Sequence, residues 1–301
     1  APGGMGKSSL LATWVQRYRA AIEGEPGCSV HFRFIGQGDR STTVHSLLHL
    51  LLRELKEAAG KISGDIPADP HKLRQELPKL LEAAGKKGKT VIVLDALNQL
   101  ESGLSDLGWL PYYLPQNIKF IASFKRGEPE AEALLARMQG LAVLSEVRPF
   151  ESLEHRQQLV DKYLEQYLKQ LDAPLVDALI RSPGASNPLY LKVVLSELRV
   201  FGAFANLGQK IRSDFGETPL SAFNAVLKRL ENDPAYAALD PQKAVPLLFG
   251  LLAHARQGLS VEELVNLVGT TEGNSAAQQG GAVAMDGGRI AVGLTSGLSA
   301  G

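Results

Sequence analysis

The sequence predicts an α/β protein with a parallel sheet in its first half and a helical second half. The run Thr90–Asp95 (TVIVLD) is apolar, rich in β-branched residues and ends in an acid, which is typical of a buried central strand. Similar runs alternate with helical patterns, and this alternation indicates βαβ units. Between about residues 150 and 270 the strand signals stop and helical periodicity continues.

Each element is predicted from the spacing of its apolar residues and from its flanking turn residues. The strands are Cys28–Ile35, Thr90–Asp95, Ile118–Ser123 and Leu141–Val147. The helices are Lys7–Ile22, Thr43–Ala59 with Thr42 or Ser41 as N-cap, His71–Ala84, Glu128–Met138, Ser152–Gln170, Pro174–Arg181, Pro188–Phe201, Leu220–Leu230, Lys243–Ala255 and Ser260–Leu267. Two further features are a basic turn at Gly85–Lys89 and a hairpin at Val283–Val292.

Composition narrows the classes of function. The 301 residues carry 32 basic and 32 acidic side chains, so the net charge is zero and a strongly basic nucleic-acid binder is disfavoured. One cysteine excludes an internal disulfide and a cysteine metal cluster, and it fits a reducing, cytoplasmic location. No apolar run is long enough to predict a membrane span, and no signal-peptide pattern is present.

A phosphate-binding loop is predicted at the start of the chain. The pattern Ala1-x-x-x-x-Gly6-Lys7-Ser8 has P-loop spacing, with alanine in place of the first glycine. The backbone amides of Gly3, Gly4, Met5, Gly6, Lys7, Ser8 and Ser9 would cradle phosphate oxygens at a helix N-terminus. Lys7 would reach the β- and γ-phosphates, and Ser8 would be a ligand of Mg²⁺.

A P-loop follows a strand, whereas this chain begins inside the loop. We therefore expect a fragment of a longer protein whose first core strand precedes Ala1.

The second half of the site is predicted at the end of the buried strand. Asp95 would bind Mg²⁺ through water, and its alternative role is a helix N-cap. Of the residues that follow it, Asn98 and Gln99 are amides that can orient a water but accept its proton poorly, and Glu101 is the nearest carboxylate. We therefore expect slow hydrolysis, or nucleotide binding that matters more than cleavage.

Polar residues after the next strand are further candidates. Ser123 would sense the γ-phosphate, and Lys125 or Arg126 would neutralise charge in the transition state. For the two basic residues a solvated loop is an equally good interpretation.

Several segments together resemble the NACHT-type STAND NTPases, in the nephrocystin-like and telomerase-associated-protein-like branch. The resemblance covers about residues 1 to 268 and is carried by Ala1–Trp14 (APGGMGKSSLLATW), Val30–Gly36 (VHFRFIG), Val91–Leu100 (VIVLDALNQL), Asn187–Arg199 (NPLYLKVVLSELR) and Leu247–Leu267 (LLFGLLAHARQGLSVEELVNL). In place of the acids that follow the Walker-B Asp in the family, this sequence has Asn98 and Gln99.

The resemblance implies a NACHT-like P-loop core at 1–150 without its first strand, a helical lid at 151–232 and a winged-helix-like domain with a glycine-rich tail at 233–301. It implies ATP or ADP with Mg²⁺ as ligand, with Pro188 near the adenine; Pro188 also fits the first turn of a helix. It further implies a signal-regulated switch that self-associates and meets protein partners through flanking domains, and neither nucleic acid nor membrane is expected as a partner.

Two alternatives stay open. The chain could be a scaffold that binds nucleotide for stability alone, which Asn98 and Gln99 favour. It could also be a DNA-acting ATPase that uses the winged helix, and this alternative predicts salt-sensitive DNA binding.

Overall fold

The computed structural model describes residues 3–37, 42–60, 64–105, 107–111, 113–200, 208, 210–255, 258–271, 281–286 and 289–294. The chain divides into two compact units, Ala1–Asn224 and Ala225–Gly301. The first unit contains a parallel sheet and the helices around it. The predicted boundaries at residues 150 and 232 remain predictions.

The first unit is built on a three-stranded parallel sheet in the order β1-β2-β3. Its strands are β1 (Ser29–Phe34), β2 (Thr90–Asp95) and β3 (Ile118–Ala122), as the sequence predicts. Every residue of the central strand β2 is buried. The register pairs Phe34 with Asp95 and Leu94 with Ala122, so the carboxyl ends of the strands meet at one edge.

The helices match the predicted ones to within a few residues. They are α1 (Lys7–Ala21), α2 (Val44–Ala58), α3 (Pro70–Lys87), α4 (Pro129–Met138), α5 (Leu153–Glu165), α6 (Ala173–Arg181), α7 (Pro188–Val200), α8 (Pro219–Glu231), α9 (Pro241–His254) and α10 (Val261–Thr271).

The two faces of the sheet are covered by different helices. On one face, α2 and α3 present leucines that are fully or almost fully buried with Ile92 and Leu94 of β2. On the other face, Val15 of α1 packs with Val91 and Val93. Alternate residues of β2 thus point to opposite layers, as the period of a strand requires.

Two predicted turns and caps differ from the structure. The N-cap of α2 is Thr43, whose side chain accepts a hydrogen bond from Ser46 N, so the predicted caps Thr42 and Ser41 are wrong. The Thr42 hydroxyl donates to Glu101 instead, and Ser41 lies outside the described residues. The predicted basic turn at Gly85–Lys89 is mostly helix, because α3 runs on to Lys87.

The predicted strand Leu141–Val147 is wrong, since none of these residues forms a strand in the structure. Leu141, Val143 and Leu144 are 59%, 99% and 55% exposed. A β-branched composition shows only that side chains suit a pleated surface. A strand also needs a neighbouring backbone to take up its amide and carbonyl groups, and in the described structure β3 pairs with β2 alone.

Two glycines meet at the amino end of the sheet, where α1 leads to β1 and α3 leads to β2. A Cβ on Gly27 would lie 2.1 Å from the Lys87 carbonyl oxygen, and a Cβ on Gly88 would lie 2.3 Å from the Gly27 carbonyl oxygen. Both positions therefore require glycine for lack of space.

The second unit contains α9, α10 and a hairpin of β4 (Gly281–Asp286) and β5 (Arg289–Leu294). The hairpin confirms the one predicted at Val283–Val292. A capping box begins α10, because Ser260 N donates to Glu263 Oε2 at 2.7 Å and Glu263 N donates to Ser260 Oγ at 3.2 Å. A winged-helix identity for this unit remains a prediction.

Among the helices that the structure describes, none combines the length and hydropathy that crossing a bilayer requires.

A polar cluster ties β1 to α2. Glu54 Oε1 accepts from Arg33 Nη2 at 2.7 Å, and Glu54 Oε2 lies 3.1 Å from His31 Nδ1. Burial raises the pKa of Glu54, but the hydrogen bonds and charges of His31 and Arg33 outweigh it and lower the pKa from 4.5 to about 2. The carboxylate therefore stabilises the folded state in its ionised form.

We predict that Glu54→Gln lowers the free energy of unfolding at pH 7 by about 1–2 kcal/mol, after a discount for solvent screening. Because the folded pKa is depressed, the wild-type advantage is complete above the ordinary pKa and is lost as the pH falls toward 2. Urea titrations between pH 7 and pH 3 should show the two curves converging. The exposed neighbour Glu57→Gln is the control, and a pH-independent difference for Glu54→Gln would contradict the assignment.

Candidate phosphate-binding site

The segment Gly3–Gly6 forms a tight turn that leads directly into α1. Gly4 and Gly6 have φ of +76° and +81°, a left-handed conformation that favours glycine. Gly6 is the N-cap of α1 and has no side chain to cap the helix, whose first turn carries amides without intrahelical acceptors. The predicted position Ala1 lies outside the described residues.

The cradle of the turn has room on one side. A Cβ built on Gly3 or Gly6 would meet no atom within 4 Å. Ser8 and Ser9 are exposed in the first turn of α1, and the first turn carries no acidic residue. Amides, the positive end of a helix and an open approach together suit an anion.

Asp95 ends β2 with only 2% of its surface exposed. The Ser123 hydroxyl donates to Asp95 Oδ1 and accepts from Ala96 N at 3.0 Å. Ser123 is also fixed by its backbone, since Ser123 N donates to Leu94 O and Leu97 N donates to Ser123 O, each at 2.9 Å. Ser123 thus orients the carboxylate of Asp95 rather than standing free.

Lys7 and Asp95 interact electrostatically. Burial lowers the pKa of Lys7, the Asp95 carboxylate raises it in opposition, and the Lys125 ammonium lowers it further. The Lys7 ammonium thus lies in the field of one carboxylate and of one further ammonium group. The field of a bound anion would stabilise the charged form of Lys7 against the desolvation that lowers its pKa.

The chain turns sharply after Asp95. Ala96 adopts a left-handed conformation with φ of +58°, and Leu97–Gln99 form one 3₁₀ turn. The Asn98 side-chain oxygen accepts a hydrogen bond from Lys125 N at 2.9 Å. Asn98 therefore links the loop after β2 to the loop after β3, and this amide oxygen already has a donor.

Arg126 lies against two carboxylates. Its guanidinium is 3.2 Å from Glu132 and 3.7 Å from Glu146, and its side chain is 51% exposed. Lys125 Nζ likewise lies 3.2 Å from Glu128. A role of Arg126 toward a phosphate remains a prediction.

The start of α7 lies directly on the turn Gly3–Gly6. Leu189 N donates to Gly4 O at 3.2 Å, and Asn187 Nδ2 donates to Gly3 O at 3.4 Å. A Cβ on Gly4 would lie 2.8 Å from Leu189 Cβ. Pro188 is the first residue of α7, so the structure places it beside the turn through its two neighbours.

Sequence reasoning missed this contact between Asn187, Leu189 and the turn. The sequence signal for this contact is the Asn-Pro pair, which predicts the start of a helix. The pair does not show which backbone segment that helix start contacts.

The residues present fit a magnesium-bound polyphosphate. The amides of the turn and the ammonium of Lys7 match phosphate oxygens, while the Ser8 hydroxyl and the Asp95 carboxylate are the oxygen ligands that Mg²⁺ prefers.

Comparisons with known proteins give distant relatives. A TPR repeat-containing protein of Dictyostelium discoideum is 27% identical over 270 residues, which cover 76% of this chain and 16% of that protein. Telomerase protein component 1 of Mus musculus is 25% identical over 89% of this chain and 10% of its own length. Nephrocystin-3 of Homo sapiens is 30% identical over 40% of this chain and 9% of its own length.

No protein-family profile matches the chain. Among solved structures, domain III of the Thermotoga maritima replication initiation protein DnaA aligns over 76% of this chain and 81% of that domain, with 14% identity and a TM-score of 0.38, a likeness too weak to assign a fold. The chain thus resembles short parts of much longer proteins, among them telomerase protein component 1 and nephrocystin-3.

We predict that Ser123→Ala lowers the free energy of unfolding by about 1–3 kcal/mol, because the buried Asp95 carboxylate loses a hydroxyl donor. Chemical denaturation without nucleotide measures the change. Ser123→Thr keeps the hydroxyl and should recover most of the loss. An alanine variant as stable as the wild type would show that the hydrogen bond does not hold Asp95.

Proposed function

We propose that the chain binds a nucleoside triphosphate with Mg²⁺ at the turn Gly3–Gly6 and the carboxyl edge of the sheet. The arrangement that supports this most is the glycine turn at the start of α1, which carries Lys7, together with the parallel sheet whose central strand β2 ends in the buried Asp95. These are the two positions at which a P-loop site requires a cation and an acid.

Each residue has a distinct task in this proposal. Backbone amides from Gly3 to Ser9 cradle the phosphates, and Lys7 neutralises the β- and γ-phosphates. Ser8 and Asp95 hold Mg²⁺, which when bound supplies charge neutralisation of the phosphates. Pro188 borders the adenine of ATP or ADP, an assignment that the NACHT-type STAND resemblance supports.

Hydrolysis in this proposal is slow. Asn98 is a neutral amide whose oxygen accepts from Lys125 N, and such an oxygen is too weakly basic to take a proton from an attacking water. Arg126 is held between Glu132 and Glu146, so it must leave two carboxylates before it could stabilise a transition state. Both observations favour long-lived binding over rapid turnover.

A switch suits a slowly hydrolysed nucleotide. In the STAND proposal, exchange or hydrolysis shifts the helical lid (residues 151–232) and the winged helix and releases surfaces for self-association. The names of several relatives include the tetratricopeptide repeat. This supports the proposal that flanking domains contact protein partners. The zero net charge disfavours the DNA-acting alternative.

We predict that Lys7→Ala weakens binding of fluorescent ATP to the full chain by at least about tenfold, since a charge-assisted contact to phosphate is lost. Lys86→Ala is the control, because Lys86 is 72% exposed and pairs with Glu82 on α3. Equal affinity of the Lys7→Ala variant and the wild type would refute the proposed site.

A second prediction separates the switch from a nucleotide-binding scaffold. Asp95→Asn should abolish slow phosphate release while the variant still binds ATP without Mg²⁺, because the substitution removes the charge that holds the metal. The measurement is phosphate release under excess ATP. Release that is absent in the wild type, or that does not depend on Asp95, favours the scaffold.

A further inference from the structure

We propose that Asn187 is a positioning residue for the turn Gly3–Gly6. Through this residue, the position of α7 sets the affinity of the turn for the triphosphate. This inference rests on the proposed nucleotide binding. It assigns to the start of α7 an action on phosphate, in addition to the adenine contact expected of Pro188.

The first step is that α7 binds carbonyl groups of the loop. Asn187 Nδ2 donates to Gly3 O and Leu189 N donates to Gly4 O, so two consecutive peptide carbonyls point toward the helix. Leu189 N also donates to Asn187 Oδ1 at 2.9 Å, which holds the asparagine side chain in place as the cap of α7.

The second step follows from the peptide unit. In a planar trans peptide the carbonyl and the next amide N–H point in opposite directions. When α7 binds the carbonyls of Gly3 and Gly4, the N–H groups of Gly4 and Met5 must therefore point away from α7. Those two amides belong to the cradle that faces phosphate in the proposed function, so α7 presets their direction.

The third step is the tightness of the contact. A Cβ on Gly4 would lie 2.8 Å from Leu189 Cβ and 2.9 Å from Asn187 Oδ1. The glycine thus serves two needs, the left-handed backbone and the close approach of α7. If α7 moves away, both carbonyls lose their donors and the peptide units become free to rotate. Phosphate affinity and the position of α7 are then reciprocally linked.

Substitutions at Asn187 separate this role from helix capping. Asn187→Ser keeps an oxygen that can cap α7 but has no N–H₂ group to reach Gly3 O. Asn187→Ala removes both functions. A capping role alone predicts that serine restores stability and affinity together. The positioning role predicts that serine restores stability while affinity stays about fivefold weaker than in the wild type.

The experiment measures the affinity of the full chain for two probes in the presence of Mg²⁺. The probes are fluorescent ATP and inorganic tripolyphosphate, which competes with it. Binding of both probes should be about fivefold weaker in Asn187→Ser and more than tenfold weaker in Gly4→Ala than in the wild type. Gly24→Ala is the matched control, because Gly24 has a φ of +82° but no atom within 4 Å of an added Cβ. Without nucleotide, hydrogen exchange of the Leu189 amide should accelerate in Gly4→Ala and not in Gly24→Ala.

Weaker binding of ATP with unchanged binding of tripolyphosphate would place the effect at the adenine and overturn the inference. Unchanged affinity of Asn187→Ser for both probes would overturn it as well. These outcomes presuppose a wild type whose binding depends on Lys7. A wild type that binds neither probe would instead overturn the proposed function.

Discussion

The buried carboxylate at the end of β2 is the constraint on which the rest of the first unit depends. Asp95 is almost inaccessible to solvent and needs compensating donors, because an unpaired buried charge is costly. The donor is the hydroxyl of Ser123, which β3 can deliver only if it lies in register beside β2. Strand pairing, the loop after each strand and the field at Lys7 are thus parts of one arrangement.

Much of this arrangement could be predicted from the sequence. The runs at Thr90–Asp95 and Ile118–Ser123 identify buried strands by composition, and the glycines before Lys7 identify a turn that leads into a helix. Such signals are local, because each depends on the preference of a few consecutive residues. The convergence of Lys7 and Asp95 follows from them once the strands are parallel.

The remaining features depend on partners far along the chain. Leu141–Val147 has the composition of a strand, but a strand forms only beside a backbone that needs its hydrogen bonds. The helix α3 continues through Gly85, which lies close to Ile118 of β3: an added Cβ would be 3.3 Å from the Ile118 side chain. The engagement of Asn98 by Lys125 and of Gly4 by Leu189 likewise arises from tertiary contact, which no local propensity encodes.

The glycine pair Gly27 and Gly88 has a consequence for sequence evolution. These residues lie at the end of the sheet opposite Asp95, and neither has a chemical task. At each position an added Cβ would collide with the backbone of the other turn. A substitution at one position therefore cannot be compensated by a substitution at the other. A saturation-mutagenesis map should therefore show two intolerant positions remote from the phosphate loop. In distant homologues this pair would mark the alignment of the α1–β1 and α3–β2 turns even where the residues of the site have diverged.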